Sequence, residues 1–341
     1  MFGRNRAQLD SAIGAERASI ADADAARVLL AVNVARTYVQ LARLVEQRSV
    51  LERALAQREE VFNLTRQRVS AGLDTAVELR QSEGVRPETR QQIEAVDEQA
   101  ALARHALAAL LAEPPQRFDT LAPTLSTVHP IAVPEAIPAD LIGRRADIVA
   151  ARWRVEAASG DVAAARAQFY PNINLTAFIG LSSIGLDRLV RAGSEQYGVG
   201  PAIRLPILDS GRLRAGLRGR AADLDAAVET YNGTLVDAIH DVADQISSTK
   251  SVERQQREQA SAQESAEAAY DLATQRYRAG LGGYITVLNA ETNVIAQRRL
   301  TTDLRARALD AQMLLVRSLG GGYAAPAEAR ALASAGGAAA R

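Results

Sequence analysis

The sequence predicts a mainly α protein of very long coiled-coil helices, internally duplicated, that also carries one β-hairpin of the membrane-barrel type. Three observations predict it. Helical runs free of proline extend from about residue 5 to 70 and from Gly211 to Arg278, far beyond the usual globular helix. Between them, residues 171 to 208 switch to a period of two. The two long runs also match each other, in register, at a single offset.

In the first run, apolar Val28, Val32, Ala35, Val39 and Ala42 recur in steps of four and three, the spacing of a coiled-coil seam. At 1.5 Å per residue the helix would be roughly 90 to 100 Å long, so it needs lateral partners along its length. SAGLDT ends it, with Gly72 free to take the left-handed conformation, and Asp74 or Thr75 caps a second helix running to about Ala112. Pro87 falls inside that helix and is expected to kink it or interrupt its hydrogen bonding. These residues, 1–112, form a first helical repeat without a hairpin of its own. Residues 113–139 hold Pro114, Pro115, Pro123, Pro130, Pro134 and Pro138 and read as an extended connector. Helix resumes over 140–170, with Leu141, Ile148, Ala151, Val155 and Val162 near one face. The second repeat, 209–319, has its seam at Leu224, Val228, Tyr231, Leu235, Val242 and Ile246, and its turn at RAGLGG, after which a helix runs from about Tyr284 to Leu319. The Ala- and Gly-rich tail, 320–341, is expected to be disordered.

Within the hairpin segment, Ile173, Leu175, Ala177, Ile179 and Leu181 alternate with Asn174, Thr176, Gly180 and Ser182, Phe178 being the exception. The return run places Tyr197, Val199, Ile203, Leu205 and Ile207 on one face, against Gly198, Gly200, Ala202 and Arg204 on the other. A barrel strand facing lipid and a water-filled lumen alternates in this way, and Ile173, Leu175, Ile179, Leu181, Val199, Ile203 and Leu205 would then face lipid. A hairpin packed on a soluble core fits the alternation equally well. A lone hairpin is marginally stable, however, and the chain offers no further strand pair, so other strands must come from other chains or from residues outside this one.

Composition narrows the function. The 40 basic residues equal the 40 acidic ones, so no net field draws the chain to nucleic acid. There is no cysteine, which removes disulfides and thiolate chemistry. No run of eighteen apolar residues stands out as a spanning helix, and MFGRNRAQLD lacks the apolar core of a secretory signal. His105, His129 and His240 have no metal-ligand spacing, and no phosphate loop or partnered nucleophile occurs. Neither a cofactor nor an enzyme activity is expected.

Shifting the chain by 208 positions lays Gly3, Arg4, Arg6 and Leu9 on Gly211, Arg212, Arg214 and Leu217, and FNLTRQRVSAGL on YDLATQRYRAGL. The second copy is preceded by a helix and a hairpin. The expectation is therefore that a segment holding a signal, a helix and two strands belongs ahead of Met1.

FGRNR at 2–6, LIGRRADIVAAR at 141–152, AAARAQFYPNINLTAFIG at 163–180, LPILDSGRLRA, RYRAGLGGYITVLNAE and LGGGY resemble the outer membrane factor family, the TolC-like channel tunnels. The similarity runs from Phe2 to Tyr323 and looks closest to the lipid-anchored branch serving resistance-nodulation-division pumps. It implies a homotrimer whose strands form a shared barrel in outer membrane lipid and whose helices form a periplasmic α-barrel. The implied partners are a periplasmic adaptor protein and an inner-membrane pump, and the implied task is passive conduction of drugs or other small molecules. A channel for exported proteins and, from another class, a soluble coiled-coil scaffold are the alternatives. The resemblance also implies that Ala71, Gly72, Leu73, Ala279, Gly280 and Leu281 form adaptor-docking tips, and that Ile285 and Asn289 line an aperture. The family's Arg-Pro-Asp reads Arg145, Ala146, Asp147 here. Asn289 stands where the family often has aspartate, so an acidic ring is not expected. The lipid-attachment cysteine would lie in the segment ahead of Met1, and Pro87 has Ile295 as its counterpart.

Overall fold

A computed structural model describes residues 3–127, 143–182, 184, 190 and 192–321. Among the described residues five α-helices and two strands follow in order: α1 (Arg4–Ser70), α2 (Ala76–Leu110), α3 (Ala146–Ala167), β1 (Asn172–Leu181), β2 (Glu195–Arg204), α4 (Ser210–Arg278) and α5 (Tyr284–Ser318). The duplication is carried into the backbone. Moving α1 and α2 by 208 positions superposes the end of α1 on that of α4, and both ends of α2 on those of α5.

Local chemistry explains the boundaries. Thr75 caps α2 through a capping box with Glu78, each side chain bonded to the other's backbone end of the turn. Asp74, the other candidate cap, is engaged elsewhere. Pro87 is accommodated within a helix that stays continuous from Ala76 to Leu110. α3 begins later than expected, at Ala146, because Gly143 and Arg144 form a 3₁₀ turn and Arg145 is extended. Its first turn keeps the acidic Asp147. In the connector, Pro115–Phe118 and Leu125–Thr127 are short 3₁₀ turns. Residues 128–142, Leu141 among them, and the tail from 322 onward lie outside the described residues.

The chain divides into two compact units, one of Met1–Ala25 with Gly143–Asp237, the other of Ala26–Ile142 with Ala238–Arg341. This partition cuts across the sequential repeats, since α1 and α4 contribute to both units. In the first unit α1 and α3 approach closely. A Cβ on Gly160 would lie 2.8 Å from the Ser11 amide nitrogen, and one on Gly14 2.9 Å from that of Ala157. Ser11 donates to Asp161 at 2.7 Å beside this contact. The unit also holds the sheet, β1 antiparallel to β2, with Asn172 opposite Arg204 and Leu181 opposite Glu195.

In the second unit the seams are the core. Leu41, Leu44 and Leu51 of α1 pack on Val96, Ala100 and Ala103 of α2, with Leu121 of the connector against them. Val39, Ala42, Leu125, Ala306 and Leu309 form a neighbouring cluster. Other seam residues, such as Val28, Val32 and Ala35, are only half-buried, as expected of helices that need further lateral partners. One expectation is corrected here: α1 contains an 18-residue window with mean hydropathy 1.3, enough for a span by composition, of which 22% is buried. Valine and leucine raise the average, while Asn33, Arg36, Gln40 and Arg43 keep the apolar run broken.

Candidate functional site

Each long helix ends in the same hydrogen-bonded turn. At α1, the Leu73 amide donates to the Arg68 carbonyl at 2.9 Å and the Gly72 amide to Val69 at 3.0 Å; at α4, Leu281 donates to Arg276 at 2.8 Å and Gly280 to Tyr277 at 3.0 Å. This paired pattern requires a left-handed residue after the cap. Gly72 and Gly280 supply it with φ of 72° and 74°. The leucines that follow are left outside: Leu73 is 65% and Leu281 70% exposed.

Behind the turns the two copies differ. Arg68 grips Asp74 bidentately, at 2.8 and 3.2 Å, and donates to the Tyr277 carbonyl at 3.0 Å. The Tyr277 hydroxyl donates to Asp74 at 2.6 Å and shares a 2.9 Å bond with Thr65. The Arg68 guanidinium also lies 4.6 Å from the centre of the Tyr277 ring. Tyr277 is wholly buried, against Val61, Ala273 and Tyr284. Hydrogen bonds from Arg68 hold the Asp74 carboxyl below the usual carboxylate range. Burial, with the anionic Asp74 beside it, pushes the Tyr277 phenol up to about 12. This cluster ties the α1–α2 turn to the end of α4.

A second polar tie lies deeper. Arg58 of α1 donates to Glu291 of α5 at 3.0 Å and to Thr89 of α2 at 2.5 Å. Glu291 is 4% exposed and its Oε1 has no partner, so burial raises its carboxyl above the ordinary range although Arg58 opposes the shift.

Sequence reasoning missed both ties. A signal was present: at the 208-residue offset Thr65, Asp74 and Arg58 meet Ala273, Gly282 and Ala266, and Tyr277 meets Val69. Departures from the internal repeat mark where one copy grips the other.

Ile285 and Asn289 are both exposed, Ile285 by 52%. The buried side of α5 is instead Tyr284, Val287 and Glu291, so Ile285 is not part of the seam. On the hairpin, Ile173, Leu175, Ile179 and Leu181 stand on one face with Val199 and Ile203, and all are exposed, Ile179 by 90%. Leu205 and Ile207 lie beyond the last ladder row and are exposed too. On the other face the Phe178 ring covers Gly198, where a Cβ would meet it at 2.7 Å. That accounts for the one break in the alternation. Among the described residues no acidic or histidine cluster is placed to hold a metal. His105 and His240 are exposed and far apart in the chain, and His129 lies outside the described residues.

Compared with known proteins, residues 1–113 and 137–321 match the family described as outer membrane efflux protein. The multidrug resistance outer membrane protein MdtQ of Escherichia coli O157:H7 is 31% identical over 95% of the chain and 67% of its own length. Outer membrane protein OprJ of Pseudomonas aeruginosa is also 31% identical, over 95% of the chain and 68% of its own length. Among solved structures, the outer membrane protein VceC of Vibrio cholerae superposes with a TM-score of 0.86 at 35% identity, covering 95% of the chain and 77% of VceC. The chain thus spans about two thirds of the length of these curated relatives.

Proposed function

The chain belongs to the outer membrane efflux protein family, and from that premise we propose that it forms, as a homotrimer, the channel through which a tripartite pump expels drugs or other small molecules. Members of the family are outer membrane and periplasmic channels that work with efflux-pump components, not enzymes. A soluble scaffold is thereby set aside. The multidrug names of the relatives favour small molecules over exported proteins.

The observation that carries the reading is the hairpin: ten paired rows with an apolar face left in solvent, which only lipid or further strands can cover. The membrane-facing residues are Ile173, Leu175, Ile179, Leu181, Val199, Ile203 and Leu205. The division of the chain into two helical repeats, connector and hairpin follows the same reading. Closing α1 and α4, Ala71-Gly72-Leu73 and Ala279-Gly280-Leu281 dock the helical hairpins of a periplasmic adaptor, which is joined to the inner-membrane pump. Two glycine-closed turns presenting bare leucines suit an apolar partner surface. Ile285 and Asn289 line the aperture. Opening separates the Gly280 tip from the Gly72 tip and breaks the Tyr277–Asp74 bond, a two-state change biased by the adaptor.

The test is co-purification of the assembled channel with its adaptor. Replacing Leu73 and Leu281 by Asp is expected to weaken adaptor binding at least tenfold while leaving the trimer and its bilayer conductance intact. Undiminished adaptor binding by that variant refutes the docking assignment.

A further inference from the structure

The duplication governs contacts as well as elements. In the second unit Glu59 of α1 pairs with Arg90 of α2 at 3.1 Å, and Glu267 of α4 pairs with Arg298 of α5 at 2.9 Å. Both members of the second pair lie 208 positions beyond those of the first. A contact made by one repeat is thus remade by the other where equivalent surfaces meet. A further contact joins the repeats: α1 lies against α5 through Glu46 and Arg305, at 3.2 Å. Val39 and Ala42 of α1 also share a buried cluster with Ala306 and Leu309 of α5. The equivalent of this contact joins α4 to α2.

In the single chain the residues that this equivalent contact calls for are bare. Adding 208 on the α1 side and subtracting 208 on the α5 side carries Glu46 and Arg305 onto Arg254 and Asp97, and Ala42 and Ala306 onto Lys250 and Glu98. The first match keeps two opposite charges with their signs exchanged, and the second sets a cation against an anion. Lys250, Arg254 and Glu98 are exposed, and none makes a hydrogen bond or ion pair among the described residues. Asp97 is bound by Arg48 through one carboxylate oxygen. Lys250 and Arg254 stand one turn apart on α4, and Leu102, 59% exposed, stands one turn from Glu98 on α2. We propose that α4 of one copy of this chain lies against α2 of the next, with Lys250 facing Glu98 and Arg254 facing Asp97 across the boundary. The inference rests on the reading that copies assemble side by side, and it names the surfaces they use. Such a contact joins unlike faces, so a ring of copies closes on one repeated interface. It also supplies the lateral partner that the length of α4 demands.

Lys250 is the only lysine of the sequence, which makes amide cross-linking by a water-soluble carbodiimide selective. The purified protein is assembled from a mixture of isotope-labelled and unlabelled chains, cross-linked and digested for mass spectrometry. The expected product is a covalent dimer or larger species in which Lys250 is joined to Glu98 in mixed-label peptides. Lys250→Arg keeps the charge without the primary amine, and is expected to assemble normally and give no such adduct. Lys250→Glu should weaken assembly about two- to fivefold per interface, the range of an exposed ion pair. Adding Glu98→Lys to it should restore the parent's dissociation, which separates lost pairing from misfolding. An assembled protein in which Lys250 gives no adduct, or one only within its own copy or to a neighbour's element other than α2, overturns the interface while leaving side-by-side assembly standing. Undiminished assembly of the Lys250→Glu variant, or no recovery in Lys250→Glu/Glu98→Lys, overturns the pairing in the same way. A protein that stays monomeric by light scattering overturns the interface and the assembly together.

Discussion

Replacing Tyr277 with Phe removes one oxygen from the tie between the two tips and leaves nearly everything else in place. The hydroxyl donates to Asp74 at 2.6 Å and shares a bond with Thr65. Asp74 retains both bonds from Arg68, and Thr65 retains the Val61 carbonyl. No buried group is orphaned, and the ring stays beneath Arg68. Of the two bonds lost, the one to the charged Asp74 carboxylate dominates, about 1.5–2 kcal/mol, because Thr65 keeps its bond to Val61. If the bond exists only when the tips are joined, the closed-to-open ratio falls by about 10- to 30-fold. Single-channel recording of the reconstituted channel reads this as longer open dwell times. Asp74→Asn should act in the same direction, and the double variant should show a coupling energy of at least about 1 kcal/mol. Dwell times within twofold of the parent, or strictly additive effects, would refute the reasoning.

Other expectations are more local. Ala112 closes α2 at φ 54° with the bonding pattern that Gly320 adopts, at 75°, for α5, so Ala112→Gly is expected to stabilise by about 0.5–1 kcal/mol, measured as a raised urea midpoint. Gly160→Ala places a Cβ against the Ser11 backbone, which cannot move aside as a flexible side chain would. A cost of about 1–3 kcal/mol follows, and amide exchange should quicken in α3 and in residues 4–25; unchanged exchange would contradict the close approach. Glu291 and Asp74 give opposite pH trends. Glu291, with its carboxyl raised by burial, binds a proton more tightly folded than unfolded, so its contribution is full at low pH and declines as pH rises through the raised value; Glu291→Gln should remove that decline from a stability-versus-pH profile. Asp74 is lowered by Arg68, so its contribution is full at neutral pH and is lost as pH falls through and below the ordinary carboxylate range. Asp74→Asn should flatten that acid limb.

Much of the fold could be read from local pattern. Helix ends at Gly72 and Gly280 follow from backbone energetics that glycine alone satisfies cheaply, and the hairpin follows from side-chain alternation. Both are properties of neighbouring residues. The late start of α3 was missed because Gly143 and Arg144 form a tight turn that hydrophobic spacing does not report. Pro87, which has no amide hydrogen, leaves one backbone bond of α2 unmade, yet the helix runs on from Ala76 to Leu110 with Thr89 and Val96 buried beyond it.

By itself, then, the sequence determined the two repeats, their glycine turns, the strand pair and the family. Tertiary structure decided which residues tie the tips together. Arg68 and Tyr277 are 209 residues apart, and Arg58 and Glu291 are 233 apart; no periodicity links partners so distant. Their pairing depends on helices brought side by side, where burial makes an unpartnered charge costly and so selects the few polar groups that can meet.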